Sequence, residues 1–205
     1  MLKRVLTGAA LVMALGAVPA LAQSEGGQRR PVPPEVKWHK FDEAIVAARA
    51  AGKHIMVDVY TDWCGWCKKL DKETYADIAV REVLAESYVS VKVKGDSGKR
   101  LKVQGHAVSD GGQTRLQFVR TDEPVTTERQ LTKSIWQATG SRGGFPTIAF
   151  LTPEGQLLTG FGGFVDAAKF HDMINFIKDN LYEVMSYQDY LESLEKAEEA
   201  AQEKS

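Results

Sequence analysis

The chain has 205 residues, which is enough for one or two domains that each bury a hydrophobic core. Hydrophobic residues make up 43% of it and charged residues 26%, as in ordinary globular proteins. The formal net charge is −1, and the basic residues form no stripe interleaved with aromatic residues. These properties exclude a surface built to bind nucleic acid, so no nucleic-acid partner is expected.

The first 22 residues have the three-part layout of a secretory signal peptide. Two basic residues at positions 3 and 4 precede an apolar run from 5 to 18, and the sequence Pro-Ala-Leu-Ala at 19–22 places small residues before the expected cut. The apolar run is shorter than the roughly 20 residues that span a bilayer, although an uncleaved anchor is the alternative. We therefore expect export to the periplasm, with cleavage after Ala22.

Residues 23–35, polar and rich in Gly and Pro, are expected to form a linker, and residues 36–185 a single domain. Within that domain, apolar residues at spacings of three and four predict helices, and runs of β-branched residues predict strands. The helices are expected over residues 41–51, from Cys64 onward, and over 77–86, 131–139 and 166–181, and the strands over 54–60, 88–93, 148–151 and 156–161. A parallel start and a hairpin finish predict an α/β fold whose mixed central sheet has helices on both faces.

Two segments depart from this pattern. Residues 95–130 are polar with only short strand-like pieces, and because long structureless loops are uncommon we expect an insertion with a hairpin of its own. Residues 186–205 are expected to form a charged helix or a frayed tail. A thin apolar stripe along this tail leaves a docking helix for a partner as the alternative.

The chain has only two cysteines, Cys64 and Cys67. A disulfide that closes so short a loop restricts the unfolded chain little, so the pair is poorly placed to stabilise a fold. It begins a predicted helix directly after a buried strand, where unpaired N–H groups and the helix dipole stabilise a thiolate. We therefore expect Cys64 to be the nucleophile and Cys67 to resolve the mixed disulfide.

The residues that bind metals do not form a convincing site in the sequence. A structural zinc site needs four ligands, and the chain has no second Cys-x-x-Cys and four scattered histidines. Copper binding by the two thiols is the alternative that these ligands leave open. We expect no metal and no cofactor.

Three stretches of the sequence, taken in order, resemble the thioredoxin superfamily. They are residues 58–68 (Asp-Val-Tyr-Thr-Asp-Trp-Cys-Gly-Trp-Cys-Lys), residues 145–147 (Phe-Pro-Thr) and the Gly162-Gly163 pair before a helix. The sequence is most similar to exported bacterial members with a Trp-Cys-x-x-Cys-Lys core. The resemblance covers roughly residues 36–94 and 131–182, and it implies a thioredoxin-like fold with the insertion placed before the cis-proline unit.

The resemblance also implies roles for several residues. Asp58 would accept and return the proton of Cys67, and a buried carboxyl with no cation nearby should have a raised pKa. Pro146 would be a cis-proline that faces the disulfide, and Phe145 would present its backbone to an extended partner chain. Lys92 lies near the position where a lysine often accompanies the buried acid.

The residues around the two cysteines are expected to contact substrate, with Trp63 shielding the sulfurs and with Gly65 and Trp66 on the substrate surface. Each of these assignments has a plainer alternative. Asp58 would be an ordinary strand-end carboxylate, the two tryptophans half-buried packing residues, Pro146 a trans turn proline and Lys92 a solvated strand lysine.

The sequence thus predicts a monomeric periplasmic thiol–disulfide oxidoreductase, and we favour one that reduces disulfides of exported proteins. A membrane electron donor would keep it reduced. Trp66 stands where ordinary thioredoxins have a proline, which leaves the direction of electron flow open. The alternatives are a disulfide oxidant or isomerase, and a thioredoxin-fold module that binds a partner or copper.

Overall fold

The computed structural model describes residues 32–110 and 113–203. The predicted signal peptide, its cut after Ala22 and most of the predicted linker lie outside the described residues. Within the described ranges, no helix has the length and apolar character needed to cross a membrane.

The domain alternates strands and helices in an order close to that predicted. The strands are β1 (Trp38–His39), β2 (His54–Tyr60), β3 (Tyr88–Lys94), β4 (Arg100–Leu101), β5 (Val103–Asp110), β6 (Gln113–Arg120), β7 (Thr126–Thr127), β8 (Thr147–Leu151) and β9 (Leu157–Gly162). The α-helices are α1 (Phe41–Ala51), α2 (Gly65–Lys69), α3 (Ile78–Ser87), α4 (Glu128–Ala138), α5 (Ala167–Lys178) and α6 (Tyr187–Gln202). Two short segments are a π-helical turn (Leu70–Thr74) directly after α2 and a 3-10 turn (Leu181–Glu183). The two-residue strand β1 was not predicted, because it is too short to show a period.

The central sheet has five strands in the order β1-β3-β2-β8-β9. Strands β1 and β2 both run parallel to β3, whereas β8 is antiparallel to β2 and to β9. This arrangement confirms the predicted mixed sheet with a parallel start and a hairpin finish. Strand β2 lies in the middle, and its nearly continuous apolar sequence reflects burial on both faces.

The sheet separates two hydrophobic layers, which confirms that helices cover both of its faces. Ile55, Val57 and Val59 of β2 pack into a layer with buried residues of α1 and α4. Met56 packs into the opposite layer, with buried residues of α3 and α5. Because side chains alternate along a strand, Asp58 lies on the same face of β2 as Met56.

The insertion contains the hairpin that was predicted for it. Strands β5 and β6 pair antiparallel along their length, and the ring of the buried Phe118 lies 5.3 Å from that of Phe41 on α1. The N–H of Phe118 also donates to the carbonyl oxygen of Gly155, in the turn between β8 and β9, at 2.8 Å. These contacts hold the hairpin near the end of β8 that is opposite to Pro146.

The C-terminal segment is a well-formed helix that packs on the domain, not a frayed tail. Ser186 caps α6, and its hydroxyl oxygen accepts from the N–H of Asp189 at 3.1 Å. The rings of Tyr187 and Tyr190 each lie 5.3 Å from that of Phe176 on α5. The predicted stripe thus begins with two tyrosines that are used for packing within the chain.

Candidate active site

The two cysteines form a disulfide at the start of α2. Their Cα atoms are 5.3 Å apart, and the sulfur of Cys64 accepts a hydrogen bond from the backbone N–H of Cys67 at 3.0 Å. Cys64 is the N-cap residue of the helix, which continues without a break into the π-helical turn. The N–H groups of the first turn and the positive end of the helix dipole therefore lie next to its sulfur, where they stabilise a thiolate.

Two tryptophans flank the disulfide and are largely exposed. Cys64 and Cys67 keep 4% and 2% of their surface, whereas Trp63 is 69% and Trp66 58% exposed. Both rings therefore keep more than half of their surface in contact with solvent. Between them, Gly65 has no heavy atom within 4 Å of the position that a Cβ would take, so the surface there is open.

Trp63 belongs to an aromatic cluster that reaches the cis-proline loop. Its ring meets that of Phe145 edge to face at 5.6 Å, and Trp136 of α4 lies 5.5 Å from Phe145 on another side. The indole N–H of Trp63 donates to Asp96 Oδ2 at 3.2 Å. Asp96 belongs to the first residues of the insertion, which is thereby connected to the site.

Trp66 belongs to a second cluster on the far side of Gly65. Its ring lies 5.9 Å from that of Phe164, and Lys69 Nζ lies 5.3 Å from the centre of Trp66 and 4.5 Å from that of Phe164. A cation over aromatic faces is attracted by their π-electrons. The open surface at Gly65 thus has an aromatic group on each side, one of which carries a positive charge.

The peptide bond between Phe145 and Pro146 is cis, as the resemblance implied. The carbonyl oxygen of Pro146 accepts from the N–H of Gly163 at 2.8 Å, which fixes the loop to the end of β9. Thr147, the next residue, pairs with Val59 near the end of β2, from which the chain runs into the loop that carries the cysteines. The sheet therefore brings the cis-proline and the disulfide to the same end of the domain.

Asp58 is fully buried in the middle of β2, and neither of its carboxyl oxygens receives a hydrogen bond. Burial raises its pKa to about 7, while the positive charge of Lys92 acts in the opposite direction. The expectation that no cation lies nearby was wrong, because Lys92 Nζ is 3.4 Å from Asp58 Oδ2. The sheet register explains the contact, since Asp58 of β2 pairs with Lys92 of β3.

Lys92 is not a solvated strand lysine. Its nitrogen lies 2.5 Å from Asp71 Oδ1, and 4.9 Å and 5.1 Å from the ring centres of Trp38 and Tyr60. Sequence reasoning missed Asp71 as a neighbour of the site. Its position four residues after Cys67, on the same side of a predicted helix, was the available signal.

Other neighbours of the site were also missed, namely Asp96, Trp136 and Phe164. Each comes from a different part of the chain, and no local pattern connects it with the cysteines. Among the described residues, no three or more His, Cys, Asp and Glu side chains are grouped so that they could hold a metal ion.

A model of the thioredoxin-like domain family matches residues 41–178. The chain is 33% identical over 67 residues to the thiol:disulfide interchange protein DsbD of Pseudoalteromonas atlantica, a match that covers 32% of this chain and 11% of that protein. It is 35% identical over 91 residues to DsbD of Actinobacillus pleuropneumoniae, which covers 44% of this chain and 15% of that protein. Among solved structures, the DsbH oxidoreductase superposes with a TM-score of 0.47 and 19% identity, over 72% of this chain and 88% of that one.

The chain thus spans only a small part of the length of these two curated relatives. The family model, in contrast, matches more than half of this chain and includes the elements that carry both cysteines and the cis-proline. The chain belongs to the thioredoxin-like domain family, and its Cys64-x-x-Cys67 disulfide lies within the residues that the family model matches.

Proposed function

We propose that the protein reduces disulfide bonds of exported proteins in the periplasm and is returned to its dithiol form by a membrane electron donor. The observation that carries this proposal is the Cys64–Cys67 disulfide at the start of α2, between two exposed aromatic clusters. The matched DsbD proteins are named thiol:disulfide interchange proteins, which supports the same chemistry. Export rests on the signal peptide predicted over residues 1–22. Sequencing of the mature N-terminus from a periplasmic fraction tests that part, and we expect it to begin at Gln23.

The proposed reaction transfers two electrons in two steps. The thiolate of Cys64 attacks one sulfur of the substrate disulfide, that S–S bond breaks, and the other substrate sulfur leaves as a thiolate. Cys67 then gives its proton to the carboxylate of Asp58 and attacks the sulfur of Cys64. The second substrate sulfur leaves, and the protein is left with the Cys64–Cys67 disulfide.

Asp58 has the properties that the proposed reductant needs. A general base works best when its pKa lies near the pH at which it acts, and burial brings the pKa of Asp58 to about 7. Such a carboxylate can accept the proton of Cys67 in the step that releases reduced substrate. The reduction potential of the cysteine pair distinguishes a reductant from an oxidant, because an oxidant would use the same group in the reverse direction.

Substrate recognition is proposed to involve the residues on both sides of the disulfide. An extended segment of the substrate would pair with the backbone at Phe145 and Pro146, in the manner of an added strand. Trp63 and Trp66 would contact its side chains, since exposed tryptophans commonly dominate the binding energy of an interface. The open surface at Gly65 would leave room for the substrate chain.

The position of Phe145 can be tested by a substitution at Gly95, which lies against the Phe145 ring. A Cβ at Gly95 would lie 2.4 Å from Phe145 Cε1, so Gly95→Ala must displace that ring. We expect kcat/KM for a protein substrate to fall by about 10-fold, because small misplacements of binding groups have large effects on rate. Steady-state kinetics measure the effect. Gly98→Ala is the matched control, since a Cβ there meets no atom within 4 Å; equal activity of the two variants would contradict the proposed role of Phe145.

Reduction of insulin with a small dithiol as electron source tests the proposed activity directly. We expect turnover well above the rate of the dithiol alone, and loss of this difference in Cys64→Ser. A wild-type rate equal to the background would instead indicate a thioredoxin-fold binding module. Titration of the reduced protein with copper would then test the metal-binding form of that alternative.

A further inference from the structure

We propose that Asp71 is a positioning residue that holds Lys92 away from Asp58 and so weakens the ion pair between Lys92 and Asp58. The consequence for catalysis rests on the proposed function, in which Asp58 takes the proton of Cys67. The contact itself does not depend on it.

The distances show which carboxylate holds the ammonium group. Lys92 Nζ lies 2.5 Å from Asp71 Oδ1 but 3.4 Å from Asp58 Oδ2. Neither oxygen of Asp58 has a hydrogen-bond partner, although the residue is fully buried. A charged Asp58 would gain most from a short hydrogen bond with Lys92, and the closer contact with Asp71 leaves the ion pair with Asp58 long.

The surroundings of Lys92 allow a choice between these two partners. Its side chain passes the rings of Trp38 and Tyr60, which flank the ammonium at 4.9 Å and 5.1 Å, and it remains 20% exposed. Asp71 is 46% exposed and lines, with Trp38 and Lys92, a surface cleft of about 430 Å³. Asp71 can thus bind Lys92 while its other side is hydrated, whereas Asp58 would face Lys92 from a dry interior.

Among the residues that the structure describes, the other charged and titratable groups facing Asp58 donate no hydrogen bond to it. From β3 it faces Lys92, and from the π-helical turn it faces Asp71, whose negative charge further raises the pKa of Asp58. Beyond that turn lies Tyr75, which is buried and has a pKa raised well above its ordinary value by burial and then by Asp58 and Asp71. On the other neighbouring strand, β8, Asp58 pairs with the apolar Ile148.

The test is a titration of the Asp58 carboxyl carbon by 13C NMR in the oxidised protein, where the disulfide removes both thiols from the titration. In Asp71→Asn, Lys92 is released to Asp58, and we expect the midpoint to move to lower pH by about 1. In Lys92→Met, Asp58 loses the cation that lowers its pKa, and the midpoint should move to higher pH by a similar amount. Because Asp71 is half exposed, its substitution leaves the core intact and is informative even if Lys92→Met does not fold.

Two further variants complete the design. The Asp58 midpoint in Asp71→Asn/Lys92→Met should differ little from that in Lys92→Met, because Asp71 is proposed to act mainly through Lys92. Lys94→Met is the matched control, since Lys94 lies on the same strand and pairs with the exposed Asp62. The Asp58 midpoint in this variant should equal that of the wild type. An unchanged or higher midpoint in Asp71→Asn would overturn the proposal, as would an equally large effect of Asp71→Asn in the Lys92→Met background, which would show that Asp71 acts directly through its charge.

The pH profile of kcat for insulin reduction separates this inference from the proposed function. If Asp58 is the base, the acidic limb of the profile should move with the NMR midpoint, to lower pH in Asp71→Asn. A midpoint that moves while the kinetic profile stays in place would support the positioning of Lys92 by Asp71. The same result would contradict the proposed use of Asp58 in catalysis.

Discussion

Cys67→Ser is expected to accumulate as a covalent adduct with its substrate, whereas Cys64→Ser is expected to form none. Cys64 is the N-cap residue of α2, where the helix dipole and the N–H of Cys67 stabilise its thiolate, so it can attack without its partner. Without the Cys67 thiol the mixed disulfide has no internal means of resolution. Turnover should fall by about 10³-fold or more in both variants, because each removes an essential sulfur.

Intact-mass measurement after mixing with a disulfide-containing substrate distinguishes the two variants. Cys67→Ser should gain the mass of one substrate chain, and addition of dithiothreitol should remove it. Full multiple-turnover activity of Cys67→Ser would show that the two-cysteine mechanism is wrong. The reverse pattern, an adduct on Cys67 in Cys64→Ser alone, would exchange the roles of the two residues.

Asp58→Asn is expected to make the protein more resistant to unfolding above neutral pH, while it slows substrate reduction. Burial raises the pKa of Asp58 from 3.8 to about 7, so the folded protein binds this proton more tightly than the unfolded chain does. Between these pH values unfolding releases the proton, and raising the pH therefore favours unfolding. The stabilisation is present at low pH, declines as the pH rises toward 7 and is absent above it.

The size of this effect follows from the two pKa values. Each unit by which the folded and unfolded pKa differ is worth about 1.4 kcal/mol, so the wild type should lose about 3 to 4 kcal/mol of unfolding free energy between pH 4 and pH 8 through this group. The amide that replaces the carboxyl in Asp58→Asn cannot ionise, and the difference between variant and wild type should grow by that amount. Urea unfolding of the oxidised proteins at several pH values measures it.

The exposed Asp62 provides a control for the stability part of this prediction. Because its side chain is 67% exposed, Asp62→Asn should not reproduce the difference in unfolding free energy that we expect between Asp58→Asn and the wild type. The loss of the base in Asp58→Asn should slow insulin reduction by about 100-fold, a typical contribution of a general base. Parallel pH curves for the Asp58→Asn and wild-type proteins would contradict the account of a buried carboxyl that carries a proton.

The local pattern of the sequence was sufficient for most of the fold. The apolar run at 54–60 indicated a buried central strand, and the helix predicted from Asp166 begins there, with the Asp166 carboxyl accepting from the N–H of Lys169 at 2.9 Å. The cysteine pair and the Phe-Pro-Thr stretch could be found because each is a compact motif. Their placement at one end of the domain follows from the register of β2 and β8, which the resemblance implied and the spacing alone did not.

The remainder of the site depends on contacts between distant parts of the chain. Lys92 and Asp71 meet although they lie 21 residues apart, and Trp63 finds Asp96 after 33 residues. No period of two or 3.6 residues encodes such pairs. The contact of Phe118 in the insertion with the rest of the domain could likewise not be predicted from the sequence, because a single aromatic residue in a polar segment does not indicate its partner.

Trp66 stands where ordinary thioredoxins have a proline, so the direction of electron flow has to be measured. It stands between the cysteines, packs against Phe164 and is more than half exposed, so it lies where a partner would contact the site. The reduction potential of the Cys64–Cys67 couple, measured by equilibration with glutathione or a reference thioredoxin, tests the proposed reductant most directly. We predict a value of about −270 mV, as in thioredoxin, and a value of about −120 mV, as in a strong disulfide oxidant, would contradict it.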